Sequence, residues 1–381
     1  MNIQMVDLQS QYKRLEKEID ASIKEVIKNA AFINGPQVNT FCDRLATYMN
    51  IPYVVPCGNG TDALRLALQA LNVQPGDEII IPAFSYIAPA EMVAALGLIP
   101  VLVDVDAETF NINTEYIERA ITRQTKAIIV VHLFGQACDM ESVMKIAEKY
   151  KIQVIEDNAQ SLGVDYTFGD GTTKKAGTIG HIGTTSFFPT KPLSCYGDGG
   201  VVMTSDSDLA ERIRMIANHG QTKKYHHKMV GCNSRLDTIQ AAILNVKLNY
   251  MGDFTRTRQK VARYYDKTLS SLSDIRIPVK SSFSTHVYHQ YTLRLKNGLR
   301  DTLQAHLKEC GIPATVYYPF SIQEQEGYKW VARVSGDVSV SSSLCKEVLS
   351  LPIHSEMTDE MTRFITDSIV QFMRKKRKVV Q

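Results

Sequence analysis

Val154-Ile155-Glu156-Asp157-Asn158-Ala159-Gln160 is an apolar run that ends on carboxylates. Thr184-Thr185-Ser186-Phe187-Phe188-Pro189-Thr190-Lys191, followed by Gly197-Asp198-Gly199-Gly200, is a polar turn that reaches a lysine and closes on glycines. The first reads as a buried strand with Asp157 at its carboxyl end. Similar apolar runs stand upstream at 53–55, 78–82, 101–105 and 127–131, and 201–203 continues the series. Between them lie amphipathic stretches with helical spacing, at 63–71, 88–96, 114–121, 140–150 and 209–218. Strands that are apolar on both faces and alternate with helices predict an α/β fold, a largely parallel sheet covered on both sides. Ligands in such sheets lie beyond the carboxyl ends of the strands. Asp157, Tyr86 and the loop 58–61 are therefore expected to face one crevice.

Upstream of this core, Leu8, Tyr12, Leu15, Ile19, Ile23 and Ile27 recur at helical spacing, and Gly35-Pro36 ends that unit before a second helix over 37–48. Downstream, a long helix is expected over 238–250, and from about Arg258 the pattern changes. There 288–295 reads as a strand, 301–310 as a helix, 315–318 as another strand, and the Ser-rich 270–284 as a loop. The 381 residues exceed what one core usually supports, about 250–300. We expect a large domain over 1–254, with its N-terminal helical segment, and a smaller α+β domain over 255–381.

Composition narrows the function classes. Hydrophobic content of 44% and charged content of 22% are ordinary for a globular protein. A net charge of +3 gives no argument for a nucleic-acid or membrane partner. Seven scattered cysteines without a CxxC read as reduced thiols, hence a cytoplasmic setting. Residues 1–7 lack the marks of a secretion signal, and the longest apolar stretch, 92–103, is too short to span a bilayer. The basic run Arg374-Lys375-Lys376-Arg377-Lys378 reads as a solvated tail after the last helix. Tyr225-His226-His227-Lys228 lacks the cysteines or carboxylates that would close a metal set, so no metal is expected.

The motifs point to one cofactor chemistry. Cys57-Gly58-Asn59-Gly60-Thr61-Asp62-Ala63 contains GxGxxA, which can serve a dinucleotide or cradle a single phosphate at a helix N-terminus. A dinucleotide needs an acidic residue at the end of the next strand, and here that strand ends in Pro82-Ala83-Phe84, so the phosphate reading is preferred to it; a plain turn remains open. Tyr86 can stack on a flat heterocycle, although taken alone it suits core packing better. Lys191 alone would read as a surface lysine; Phe187, Phe188 and the glycines after it argue for burial, which makes an amine nucleophilic. A carboxylate at a strand end and a buried lysine together suit pyridoxal 5′-phosphate (PLP): the carboxylate keeps the pyridine nitrogen protonated, and the amine joins the cofactor as a Schiff base. Asn233 and Arg235 can serve an anionic ligand or merely cap the helix that follows.

Taken together, Gly60-Thr61-Asp62-Ala63-Leu64, Glu156-Asp157-Asn158-Ala159-Gln160, the Ser186–Lys191 segment, Gly197-Asp198-Gly199-Gly200 and Asn233-Ser234-Arg235-Leu236-Asp237 resemble the DegT/DnrJ/EryC1/StrS family of PLP-dependent nucleotide-sugar aminotransferases, over nearly the whole chain. Tyr225-His226-His227, Val230-Gly231 and Lys191-Pro192-Leu193 look like the subgroup that aminates C3 of a UDP-linked 3-keto-glucuronic acid derivative. The resemblance implies the aspartate-aminotransferase-like fold (fold type I), a homodimer with shared active sites, PLP cycling with pyridoxamine phosphate (PMP), and L-glutamate and a UDP-sugar as substrates. It implies that Lys191 holds the cofactor and Asp157 its ring nitrogen, that Gln160 lies near the phenolic oxygen, and that Tyr86 stacks on the ring. Gly60, Thr61, Asp62 and Ser186 would surround the phosphate, with Asn233 supplied by the partner subunit. Thr190, Arg235, Tyr317 and Tyr318 would contact the nucleotide sugar. The chain departs from the pattern at Tyr317-Tyr318-Pro319, where relatives have His-Tyr-Pro; tyrosine carries no positive charge near pH 7. Ser194 also stands where glycine is common. A related branch replaces the lysine with histidine, and Lys191 sets this chain apart from it.

Overall fold

The computed structural model describes residues 3–380, with side chains to Lys376. The chain opens with α1 (Leu8–Asn29), capped by the Asp7 carboxylate on the Ser10 N–H. Its apolar stripe runs through Leu15 and Ile19 and continues to Val26, not to the expected Ile27, which is 54% exposed. Three residues carry the stripe on from Ile23 where four would rotate it out to solvent. α2 (Pro36–Met49) follows, with Pro36 in its first turn.

The alternating pattern folds as expected: β1 (Tyr53–Cys57), α3 (Gly60–Ala70), β2 (Glu78–Pro82), α4 (Ala88–Ala95), β3 (Ile99–Val103), α5 (Thr114–Ala120), β4 (Thr125–Val131), α6 (Met140–Tyr150) and β5 (Gln153–Asp157). A ribbon of β6 (Asp165–Thr167) and β7 (Thr173–Lys175) leads to β8 (Ile182–Ser186) and β9 (Gly200–Thr204). Then come α7 (Ser207–Ala217), a hairpin of β10 (Gln221–Lys223) and β11 (His226–His227), α8 (Thr238–Leu248) and α9 (Met251–Leu269). The remainder comprises β12 (Ile275–Arg276), β13 (Tyr291–Leu295), α10 (Leu299–Glu309), β14 (Arg333–Val334), α11 (Ser339–Glu347), β15 (Val348–Leu351) and α12 (Asp359–Val380).

Eight strands form the main sheet in the order β1-β9-β8-β5-β4-β2-β3-β14, and all pairings are parallel except those of β9. Alternation sends Ile79 and Ile81 to the face covered by α3, α4 and α7, and Ile80 to the face covered by α5 and α6. α1, α2 and α8 cover the β1–β9 end of that second face through Leu15, Phe41, Val54, Met203 and Leu244. A separate three-stranded antiparallel sheet, β12-β13-β15, packs on α9, α10 and α12 around Tyr265, Leu293, Leu307 and Ile365.

α9 runs without a break through residue 255, and β14 returns to the main sheet, where Arg333 grips Glu78 through two N–H groups at 3.0 Å. The strand expected over 315–318 does not form: only Thr315 pairs, with Ser350, and the two tyrosines after it turn toward the aromatic cluster of Phe84 and Phe134. The strand expected from residue 288 begins at Tyr291, because 287–290 is held instead to the backbone of Phe134 and Gly135. Arg374, Lys375 and Lys376 are exposed as expected but continue α12, where a tail beyond the last helix was expected. The side chains of Arg377 and Lys378 lie outside the described residues, as do Met1 and Asn2. Among the described residues no helix is long and apolar enough to cross a membrane.

Candidate active site

The crevice is built at the carboxyl ends of the parallel strands. At one end lies the start of α3. Asn59 caps it, its side chain accepting from the Asp62 N–H at 2.7 Å and its carbonyl from the Ala63 N–H at 3.0 Å, while the N–H groups of Gly60 and Thr61 have no partner among the described residues and can meet an anion. Ser186 closes on this turn from the last position of β8. A Cβ at Gly60 would lie 2.5 Å from the Ser186 Cβ, and one at Gly200 would lie 2.5 Å from the Asn59 carbonyl oxygen. Glycine at both positions lets three backbone segments meet. Asp62 is tied down by the Ser234 hydroxyl at 2.6 Å, and the same oxygen accepts from the Gly58 N–H at 2.9 Å. Ser234, on the loop before α8, is a site residue that sequence reasoning missed, although its neighbours Asn233 and Arg235 were singled out.

At the other end Asp157 and Lys191 share an electrostatic field. Burial raises the Asp157 pKa, against the Ala159 N–H at 3.0 Å and the charge of Lys191. Burial lowers the Lys191 pKa, against the charge of Asp157. No ion pair within 4.0 Å joins them among the described residues, and the Lys191 amine has no hydrogen-bond partner there. A desolvated amine held apart from its only nearby counter-charge is suited to attack a carbonyl. The turn that carries it is cinched by the Cys195 N–H and thiol, both on the Phe187 carbonyl, and by the Lys191 N–H on Phe188.

Tyr86, just before α4, is 56% exposed, so it does not pack in the core as it would if read alone; its ring lies 6.3 Å from that of Tyr318. Gln160 is engaged within the chain: its carbonyl accepts from the Phe134 N–H at 2.8 Å and its amide donates to the Tyr318 hydroxyl at 3.1 Å. Burial pushes the Tyr318 phenol well above its ordinary pKa. Tyr317 stands edge-on to Tyr318. Thr61 lies half-buried in the first turn of α3, and Thr190 half-buried beside Lys191. Arg235 lies 3.4 Å from the ring of His219, while Asn233 is exposed and its backbone bridges to Asn218. His226 and His227 lie exposed in the β10–β11 hairpin. His132 and Glu156, which line the floor beneath Asp157, were also missed; Glu156 stood in the quoted motif, hidden by its neighbour.

These residues fit a flat, phosphate-bearing heterocycle. Free N–H groups and a serine could take the phosphate, a half-exposed tyrosine ring could cover one face, and a carboxylate and an unpaired amine stand apart for opposite ends of the ring.

Comparison with known proteins agrees. The DegT/DnrJ/EryC1/StrS aminotransferase family profile matches residues 13–370. The UDP-2-acetamido-2-deoxy-3-oxo-D-glucuronate aminotransferase of Pseudomonas aeruginosa is 45% identical over 92% of this chain and 95% of its own length. A pleiotropic regulatory protein of Geobacillus stearothermophilus is 42% identical over 98% of this chain and 99% of its own. A crystal structure of a DegT DnrJ EryC1 StrS aminotransferase from Brucella abortus superposes with a TM-score of 0.93 at 37% identity, covering 98% of this chain and 100% of that one. With its mostly parallel mixed sheet the fold is that of a fold type I enzyme. The chain belongs to the DegT/DnrJ/EryC1/StrS aminotransferase family, whose cofactor is pyridoxal 5′-phosphate.

Proposed function

We propose that this enzyme moves the amino group of L-glutamate to C3 of a UDP-linked 3-keto sugar, UDP-2-acetamido-2-deoxy-3-keto-glucuronic acid, to make a 3-amino sugar nucleotide for surface polysaccharide. The observation that carries the reading is the Lys191 amine, without a hydrogen-bond partner among the described residues and within the electrostatic reach of the buried Asp157, together with the 45% identity to an aminotransferase of that substrate. When bound, PLP supplies the carbonyl that accepts an amino group and the ring that delocalises the charge left by proton removal. Asp157 would keep a proton on the ring nitrogen. Lys191 would hold the cofactor and, as general base and then acid, would take the proton from the donor α-carbon and return it at the reacting end. The α3 N-terminus, with Gly60, Thr61, Asp62 and Ser186, holds the phosphate so that only the reacting end moves. Tyr86 would cover the ring, and Gln160, which donates to the Tyr318 hydroxyl, would hold that phenol in place. The same residues would serve the sugar ketone in the opposite direction, Lys191 delivering the proton to the sugar carbon. Thr190, Arg235, Tyr317 and Tyr318 belong to the sugar-nucleotide side.

We assign residues 1–254 to cofactor binding and 255–381 to a smaller closing part, and we place the enzyme in the cytoplasm as a homodimer in which Asn233 reaches the partner's phosphate. The exposed Tyr86 and Phe188 at the mouth, 56% and 49% accessible, support a shared site. One observation favours a second substrate: Tyr317 brings no positive charge to the sugar, which suits a dTDP-3-keto-6-deoxyhexose lacking a carboxylate. A non-catalytic PLP-binding regulator is the third reading, and the regulatory relative keeps it in view.

One titration separates all three. A bound PLP band near ~420 nm should bleach toward ~330 nm with glutamate and return with the keto-glucuronic acid nucleotide. Bleaching with return only on the dTDP-ketosugar would move the substrate. A band indifferent to glutamate would leave the regulator.

A further inference from the structure

His132 and Glu156 take no part in the chemistry above, yet both are fully buried beneath Asp157. His132 follows β4 directly, and Glu156 precedes Asp157 on the neighbouring strand β5. Alternation along β5 turns Glu156 away from Asp157 and toward the turn before β8. There it accepts from the N–H groups of Gly177 at 2.7 Å, Ile179 at 2.6 Å and Gly180 at 2.5 Å, and from His132 Nε2 at 2.8 Å. Four donors compensate a carboxylate that burial would otherwise make costly.

Burial disfavours a charged His132 ring, while Cys138 and Glu156 favour one and together push its pKa up to about 10, so charge alone would protonate the ring and the hydrogen-bond geometry speaks for the neutral form. The Cys138 N–H, 3.1 Å from Nδ1, decides between them. A nitrogen that accepts an N–H keeps its lone pair, so the single ring proton sits on Nε2 and is donated to Glu156. The backbone of His132 is equally committed. Its N–H donates to the Asp157 carbonyl at 3.0 Å, and its carbonyl accepts from the Ser161 hydroxyl at 2.6 Å. One imidazole therefore joins the ends of β4 and β5 to the turn that feeds β8, the strand ending at Ser186.

We propose that His132 is a positioning residue for amino transfer: through Glu156 and its own backbone it fixes where Asp157 presents its carboxylate to the cofactor ring nitrogen. It touches neither cofactor nor substrate. The proposal rests on the reading of Asp157 as the ring partner.

The test compares His132→Leu, which lacks both ring contacts, with His132→Gln, which keeps one donor and one acceptor, and with Asp157→Asn, each as purified holoenzyme. His132→Leu is expected to bind PLP about tenfold or more weakly, as loss of a charge-assisted hydrogen bond behind the site predicts, and to show an altered bound-cofactor absorption band. It should lower kcat while leaving KM for the keto sugar unchanged, and His132→Gln should restore most of each loss. A merely structural role would lower the melting temperature of the apoprotein and leave the band and the kcat-against-KM split alone; that result overturns the proposal. A wild-type band in Asp157→Asn would instead sink the Asp157 reading. Should His132→Leu not fold, histidine-selective ¹⁵N NMR of the wild-type holoenzyme decides. A ring with bare Nδ1 and protonated Nε2 whose signals move in Asp157→Asn supports the coupling, and a doubly protonated ring, or one blind to that change, refutes it.

Discussion

Gly60→Ala is the sharpest test of the phosphate cradle, because the added methyl meets backbone-bound atoms. Its Cβ would lie 2.5 Å from the Ser186 Cβ, 3.1 Å from the hydroxyl oxygen and 3.2 Å from Cα. Carbon atoms rest at about 3.5–4.0 Å, so Ser186 must retreat by roughly an ångström. No rotamer relieves this, since Cβ is fixed to the last residue of β8. Overpacking of this kind costs about 1–3 kcal/mol, and here it falls on the two segments that meet at the anion site. If the shift forfeits one charge-assisted hydrogen bond, worth about 1.5–3 kcal/mol, PLP should bind roughly 10- to 100-fold more weakly at about 1.4 kcal/mol per decade. The stabilisation of about 2.7 kcal/mol that a ligand gives at a hundred times its Kd would then fall to about 1.4 kcal/mol for a tenfold loss and about 0.4 kcal/mol for a hundredfold one. The assay is a PLP titration by absorbance, with melting curves recorded with and without PLP. Gly327→Ala is the control, because nothing lies within 4 Å of a Cβ there. A Gly60→Ala enzyme that binds PLP within twofold of wild type would refute the placement of the phosphate at α3.

The other predictions address the ring, the amine and a buried charge. Lys191→Ala should abolish turnover, measured as 2-oxoglutarate release, yet retain PLP through the α3 cradle; normal turnover would sink the mechanism. Tyr86→Ala should weaken PLP binding by about twofold to tenfold, the loss of an aromatic contact worth roughly 0.5–1.5 kcal/mol, and Tyr86→Phe should not, because stacking needs the ring and not the hydroxyl. Lys247 on α8 is fully buried, with its amine 3.2 Å from the Ser194 hydroxyl and over the Tyr196 ring, and burial lowers its pKa from 10.5 to about 8. Between those values the unfolded chain holds a proton that the folded one lacks, so this residue makes stability rise with pH across that window. Below it the buried charge is a standing cost, and Lys247→Met should melt at or above wild type at pH 7. That advantage should shrink as pH is raised from about 8 toward 10.5; a difference in melting temperature that stays constant would count against the burial argument.

What was legible in the sequence divides along a physical line. Most of the main sheet could be read because those strands are apolar on both faces and bounded by helices with a clear period, so Ile79, Ile80 and Ile81 announce a strand whatever lies around them, whereas β8, rich in Thr and Ser, was read as part of a turn. Lys191 and Asp157 could be paired because each sits where the pattern breaks: a carboxylate ends an apolar run, and a lysine follows two phenylalanines. The smaller sheet was harder. β12 is two residues long, and Thr315 bridges to Ser350 without extending into a strand, so local propensity carries little information and tertiary partners decide. The same limit hid His132, Glu156 and Ser234. Each works through backbone N–H groups or a carboxylate brought from far along the chain: Glu156 by 177–180, Ser234 by Gly58 and Asp62. Side chains that will meet cofactor carry their chemistry in their own type, whereas side chains that hold them in place are defined by donors the sequence does not label. For that reason the supporting layer, and His132 within it, is where the structure adds most to the reading of this enzyme.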